Sequence, residues 1–195
     1  MLISENPFHK KQERLEFAKI FFDSLCADSL SMINGASLSL FSTGKTRGLV
    51  VEIGEGVTHV VPIFEGFALQ HAALISHIAG RDITTTLIDG MAAEGININN
   101  KMLEVGRDIK EKMCTVPLDY QAAIDGPDPL NGEQRLYDLP DGTVIQVNHK
   151  KRYCATEILF DPSIAKLTGK SLPAMIVESI KKCPKLMRNV TYRLK

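Results

Sequence analysis

The feature that most constrains the fold is the stretch from Gly48 to Gly66, which reads GLVVEIGEGVTHVVPIFEG. Two runs rich in β-branched residues, Leu49–Ile53 and Val57–Ile63, are predicted to be strands, joined as a hairpin by the glycine-rich turn between them. Glu65-Gly66 is predicted to make a further turn. Because paired glycines let backbone N–H groups approach an anion closely, the hairpin favours a phosphate as its ligand.

The composition is that of a globular protein and argues against several kinds of partner. The 195 residues, 44% hydrophobic and 24% charged, are typical of a globular protein with room for one large domain or two small ones. Basic and acidic residues balance at 23 each, so neither nucleic acid nor an acidic membrane is expected as the main partner. The four cysteines lack C-x-x-C spacing, which favours reduced thiols. No apolar run could span a bilayer and no secretory signal is evident, so the default expectation is the cytoplasm, with the cell's cytoskeletal structures included.

Helical periodicity dominates the first part of the chain. Lys10–Ala27 is predicted to be an amphipathic helix that packs through one apolar face, formed by Leu15, Ala18, Phe21, Phe22 and Leu25. Asp28 or Ser29 is predicted to cap a second helix that ends at Gly44. Gly35 would then lie in a helix interior, at a cost of about 1 kcal/mol relative to alanine.

The remaining elements alternate between helices and strands with short connections, which indicates an α/β or α+β class. The predicted elements are helices at Asp82–Ala93, Asn99–Met113 and Ser171–Lys182, a break at Gly95, a surface loop at Asp125–Gly132 and a hairpin at Leu136–Val147.

Several short segments, taken in order, resemble one family, the actins and actin-related proteins. The segments are Leu2–Pro7, Gly56–His59, Ala79–Asp82, the RDIKEK run Arg107–Lys112, the LPDG turn Leu139–Gly142 and Ser179–Cys183. Each match is weak alone, but their shared order is specific.

The resemblance implies a partial actin-like fold, an α/β fold of the ribonuclease-H-like ATPase kind with an inserted α+β subdomain. Residues 1–44 would be a helical lead-in from the smaller lobe. Residues 45–80 and 168–195 would form the inner subdomain of the larger lobe with an incomplete sheet, and residues 81–167 the outer, inserted subdomain. The first phosphate loop would lie before Met1, and the adenine loop beyond Lys195.

In this family two lobes hold ATP or ADP with Mg²⁺ between them. By resemblance, the nucleotide-binding positions here are Gly54, Glu55, Gly56, Val57, Thr58, Arg107, Lys110 and Glu111. Glu52 occupies the place of a metal-facing aspartate, with its carboxylate one methylene further out, so a Mg²⁺ site there would be disturbed. Ile53 adds bulk where a phosphate would sit.

The resemblance also locates a degenerate catalytic set. Gly35 stands where actins carry a glutamine that orients the attacking water, so that positioning interaction is lost. His59 stands where actins carry a histidine near that water. We therefore expect no efficient ATP hydrolysis. For the cofactor we expect that no nucleotide is retained, with bound ATP or ADP and Mg²⁺ as the alternative.

Each of these candidate site residues also has a purely structural interpretation. The glycine turn could be a tight hairpin alone, Lys110 and Glu111 could belong to a solvated helix face, and His59 could be a packed histidine.

The functional hypothesis is a structural or scaffolding subunit of a cytoskeletal or ciliary assembly, with protein partners, actin-related subunits among them, covering the incomplete sheet. One alternative is a fragment of an ATP-binding actin or actin-related protein that forms or caps filaments. Another is a regulatory module that binds actin filaments through the surfaces actin itself uses.

Overall fold

The computed structural model describes residues 1–96, 103–128 and 136–185, and has a mixed α/β architecture. Contacts divide the chain into two compact units. The first comprises Met1–Glu52, Thr58–Ile75 and the chain from Ala174 onward, and the second comprises Ile53–Val57 and Ser76–Pro173. The subdomain boundaries anticipated from the sequence stay predictions. The parts of predicted elements at 99–102 and 129–132 lie outside the described residues.

The first unit begins with a β–α–β arrangement. Strand β1 (Leu2–Glu5) leads into helix α1 (Lys11–Lys19), which continues as a π-helical turn (Ile20–Ser24), and strand β2 (Ser31–Asn34) returns parallel to β1. The helix predicted at 10–27 therefore forms over residues 11–24, whereas Cys26, within the predicted range, has a positive φ of 47° and lies outside the helix. However, α1 and the π-helical turn contain no buried residue, so the expected packing of their apolar face is not found among the described residues.

The predicted cap at Asp28 or Ser29 is wrong. Residues 31–34 pair with β1 instead of entering a helix, because strand pairing outweighs their local preference. Asn34 caps helix α2 (Gly35–Phe41) by accepting a hydrogen bond from the Ala36 N–H at 2.9 Å. Gly35 is thus the first helical residue, and the cost of an interior glycine does not apply.

The hairpin predicted around the glycine turn is confirmed. Strands β3 (Gly48–Ile53) and β4 (Thr58–Phe64) are neighbours, and β4 also pairs with β5 (Phe67–Ala68) and β6 (Leu74–Ser76). Gly66 has a φ of 84°, which favours glycine, and a Cβ there would lie 2.8 Å from Phe41 Cζ. The core beneath the sheet is formed by Ala36, Leu40, Val61 and Ile63.

Helix α7 (Leu172–Lys182) confirms the prediction at 171–182, with Pro173 in its first turn. The Ser179 hydroxyl donates to the Ala72 carbonyl at 2.8 Å, which ties α7 to the chain just before β6. None of the described helices has both the length and the apolar character needed to cross a bilayer.

The second unit is built from helices α3 to α6 and one hairpin. The helices are α3 (Gly80–Ala92), α4 (Leu103–Met113), α5 (Tyr120–Asp125) and α6 (His149–Glu157). The hairpin of β7 (Leu136–Asp138) and β8 (Val144–Gln146) places Tyr137 opposite Ile145, as predicted for 136–147. The core of the second unit includes Leu87, Met91, Ile109, Val147 and Ile158.

Helices α3 and α4 approach each other closely at Gly106. A Cβ at this position would lie 2.6 Å from Ile88 Cδ1 and 3.2 Å from Thr84 Cγ2, so a side chain would force these neighbours apart. Asp128 departs from the predicted surface loop, because its carboxylate is only 8% exposed and accepts a 2.6 Å hydrogen bond from Arg152.

Candidate functional site

The glycine turn of the β3–β4 hairpin presents an exposed backbone. Ile53 to Gly56 are all exposed, and Gly54 closes the turn by donating its N–H to the Val57 carbonyl at 2.9 Å. The N–H groups of Glu55 and Gly56 make no hydrogen bond within the described part of the chain. Two successive N–H groups without a partner in an exposed turn can donate to an anion, so the turn has part of what a phosphate site requires.

The space around Gly56 would admit a side chain. A Cβ there would meet no atom within 4 Å, and its φ is not positive. Packing and backbone conformation therefore do not require glycine at this position. Gly54 is more restricted, since a Cβ would lie 3.2 Å from the Val57 carbonyl oxygen.

The start of helix α3 is bound to the same turn. The N–H groups of Gly80 and Arg81 donate to the carbonyls of Gly54 and Glu55, at 2.9 Å and 2.7 Å. Asp82 accepts from the Ala79 N–H at 2.9 Å. The first N–H groups of a helix often remain free and bind anions. In α3 they are not free, because the N–H groups of Gly80 and Arg81 donate to carbonyls of the turn.

Gly80 is a site residue whose role sequence analysis missed. Its own Cβ would lie 3.0 Å from the Gly54 carbonyl oxygen, 3.1 Å from Glu55 Oε2 and 3.3 Å from Lys110 Nζ. Only glycine allows the turn, the helix and the lysine to meet. The signal in the sequence was a glycine two residues before the predicted start of a helix at Asp82.

Lys110 is brought to the turn, whereas Arg107 and Glu111 are not. The Lys110 ammonium donates to the Gly80 carbonyl at 3.1 Å and lies 3.8 Å from Glu55 Oε2. Arg107, also on α4, pairs with Glu104 at 2.9 Å, and Glu111 is exposed. Of the three predicted positions on α4, one therefore contacts the predicted phosphate turn within this unit.

In the first unit, Glu52 accepts a 2.7 Å hydrogen bond from the Ser39 hydroxyl. This contact was not foreseen, and no motif in the sequence signals it. The carboxylate proposed to face a metal is thus partly engaged by the protein. Among the described residues, no three His, Cys, Asp or Glu side chains converge in a way that could hold a metal ion.

Gly35 leaves space where a side chain could stand. A Cβ on Gly35 would lie 3.7 Å from the Glu5 carbonyl oxygen, an ordinary contact distance. Packing around the Cβ position therefore does not require glycine here.

His59 is buried on β4, 7% exposed, with its ring 5.4 Å from that of Phe8. Within the described residues its Nε2 atom has no hydrogen-bond partner. Burial lowers the pKa of His59, and the nearby charge of Glu52 partly opposes this. A neutral imidazole at neutral pH follows, which fits a packed histidine as well as a base.

The four cysteines are free. Burial raises the pKa of the Cys114 thiol to about 12, so it is protonated at neutral pH.

Comparison with known protein families gives a match of wide coverage, in two segments. The family model described as actin matches residues 1–103 and residues 99–193 of this chain. The two matches together cover nearly all of the sequence, including the hairpin, the RDIKEK run and α7. The resemblance inferred from short motifs is confirmed at the level of the family.

Proposed function

This chain belongs to the actin family, and from that premise we propose that it is a structural subunit of a cytoskeletal or ciliary protein assembly, one that does not hydrolyse ATP efficiently. Its partners would be proteins, with actin-related subunits among the candidates.

The observation that carries the proposal is the chemistry at Gly35. Hydrolysis of a nucleotide by water requires a group that orients the water, and the first residue of α2 offers no side chain for this. Two neighbouring groups do not compensate, because Glu52 is engaged by Ser39 and His59 is buried. The chain would therefore keep the fold of the family without the side chains that position water for hydrolysis.

Retention of a nucleotide is supported only in part by the residues present. The N–H groups of Glu55 and Gly56 make no hydrogen bond within the described residues and could donate to a phosphate oxygen, and the open space at Gly56 would let it approach. Against this, the Lys110 ammonium and the first N–H groups of α3 are already bound by the protein. Bound ATP or ADP with Mg²⁺, with Glu52 in the place of the family's metal-facing aspartate, therefore stands as the alternative.

A structural role is also supported by the surface of the first unit. Large apolar side chains are exposed along its helical segment and at the edges of its sheets, for example Leu15, Phe22, Leu25 and Phe67. Exposed apolar side chains concentrated in this way are typical of protein–protein interfaces.

The test combines the intact mass of the native protein, whatever co-purifies with it, and ATP turnover. We expect a stoichiometric protein complex, no nucleotide released on denaturation and no turnover above background. Gly35→Gln and Gly35→Ala form a matched pair, because both add a Cβ and only the first adds an amide. ATP turnover by the unaltered chain that is above background and equal to that of Gly35→Gln would contradict the proposal, as would a chain isolated without any partner.

A further inference from the structure

The helical segment of the first unit, α1 and the π-helical turn after it, is uncovered. Leu15, Phe22 and Leu25 are 54%, 46% and 56% exposed. Single exposed apolar residues need no explanation, but a helical segment with several of them and no buried residue does. In an amphipathic helix this stripe normally faces a core.

Beside Leu15 lies a groove of about 610 Å³. The described residues that line it all come from α1 and its N-terminal flank, namely Lys10, Lys11, Gln12, Leu15, Glu16 and Lys19. Positions 11, 15 and 19 are four residues apart, so these side chains project from the same side of the helix.

The described residues that line the groove carry a net positive charge. Among the described residues, Lys10, Lys11 and Lys19 form no ion pair, and Glu16 is the only acidic residue lining the groove, so three positive charges minus one negative charge leave a net charge of +2. Arg14, on the same helix, provides the contrast, because it pairs with Glu5 at 2.8 Å. Unpaired lysines around an apolar centre favour a ligand that brings carboxylates and an apolar side chain together.

We propose that this groove docks an acidic, apolar segment of a partner protein, with an apolar side chain against Leu15 and carboxylates at Lys11 and Lys19. The inference rests on the proposed role as a structural subunit and specifies the chemistry of one partner contact. The charge of the groove disfavours basic segments, because they would place like charges together at short range.

The test uses the full chain and a pair of labelled peptides, one of Leu, Phe and Glu, the other identical except for Lys in place of each Glu. Fluorescence anisotropy at low salt should detect binding of the acidic peptide. The double variant Lys11→Glu/Lys19→Glu should weaken that binding by roughly tenfold or more and should prefer the basic peptide. Leu15→Gln should weaken it without reversing the preference.

The control is Lys45→Glu/Lys150→Glu, which changes net charge equally at exposed positions outside the groove and should leave binding unaltered. Circular dichroism checks that each variant keeps its helix content. Equal binding of both peptides, or no effect of the double reversal at 11 and 19, would overturn the proposal. Self-association of the unaltered chain that the reversal abolishes, without peptide binding, would assign the groove to a second copy and would also overturn it.

Failure of this inference and failure of the proposed function can be told apart. If the variant reversed at 11 and 19 still purifies in the native complex, the groove is not the docking site, while the structural role stands. If the unaltered chain purifies alone, the proposed function itself is wrong.

Discussion

The ammonium group of Lys110 donates a hydrogen bond to the carbonyl oxygen of Gly80 at 3.1 Å, and the two residues are 30 positions apart in the chain. The lysine side chain is only 14% exposed and also lies 3.8 Å from Glu55. Lys110 thereby holds the start of α3 and the glycine turn together. This contact makes Lys110 important for the fold whether or not a nucleotide is bound.

Replacing Lys110 by methionine should destabilise the second unit by about 1–3 kcal/mol, because the Gly80 carbonyl loses a charged donor in a partly buried place. The matched variant is Lys112→Met, on the same helix but 63% exposed in its side chain. Urea titration of both variants measures the difference. Equal shifts in the urea midpoint would mean that Lys110 behaves as an ordinary surface lysine.

Gly80→Ala should be strongly destabilising, whereas Gly56→Ala should be neutral or slightly stabilising. The first would place a Cβ 3.0 Å from the Gly54 carbonyl oxygen, which belongs to the backbone and can yield only if the turn moves. The second would enter open space, and it lowers the conformational entropy of the unfolded chain, an effect of about 0.4–1 kcal/mol.

The unfolding temperatures of the two glycine variants test this difference in stability. A Gly56→Ala protein that unfolds at a lower temperature than Gly80→Ala would show that the turn, and not its contact with α3, limits stability.

His59 should make the protein less stable in mild acid. Burial lowers its pKa below the ordinary value of 6.5, so the unfolded chain takes up a proton more readily than the folded one. The stabilising contribution is complete above about pH 6.5 and is lost as the pH falls through the lowered pKa. Urea midpoints between about pH 7.5 and about pH 5.5 should fall more for the unaltered protein than for His59→Gln.

Glu52→Gln supplies the companion measurement for His59. It removes the charge that raises the pKa of His59, so the loss of stability in acid should become steeper. Parallel pH profiles for all three proteins would contradict the assignment of this effect to His59.

The Arg152–Asp128 pair should be the most costly ion pair to break among those of the described residues. Its two side chains are 3% and 8% exposed and their charged atoms lie 2.6 Å apart. Asp128→Asn should cost roughly 3–5 kcal/mol, because it leaves a buried guanidinium without a counter-charge. Glu104→Gln, which breaks the exposed pair with Arg107, should cost less than about 1 kcal/mol.

A double-mutant cycle with Arg152→Met measures the coupling between Asp128 and Arg152. Costs that simply add would show that the two side chains act independently, against the short contact seen between them.

Local signals in the sequence were enough to predict the β3–β4 hairpin, α3, α7 and the hairpin at 136–147, because turn glycines and helical periodicity act over a few residues. The strand β2 was not predictable in this way. Its partner β1 lies 29 positions earlier, and only that distant pairing makes residues 31–34 extended.

The candidate site was predictable as a set of positions but not as a set of contacts. The glycine turn and Lys110 were identified by resemblance, whereas the bonds from Lys110 to Gly80 and from Ser39 to Glu52 join residues 30 and 13 positions apart. Such contacts depend on how whole elements pack. That these residues bind a nucleotide stays a prediction.

The exposed helix α1 has a consequence for hydrogen exchange. Its nine residues and the five of the π-helical turn make 14 in all, with no buried side chain among them, and an isolated helix shorter than about 12–15 residues is marginal in water. Its amide hydrogens should therefore exchange through local opening, long before those of the fully buried Val60 and Val61. A ligand bound in the groove would slow deuterium uptake in α1 and leave deuterium uptake in β4 unchanged. Hydrogen exchange in α1 would therefore measure whether the groove is occupied.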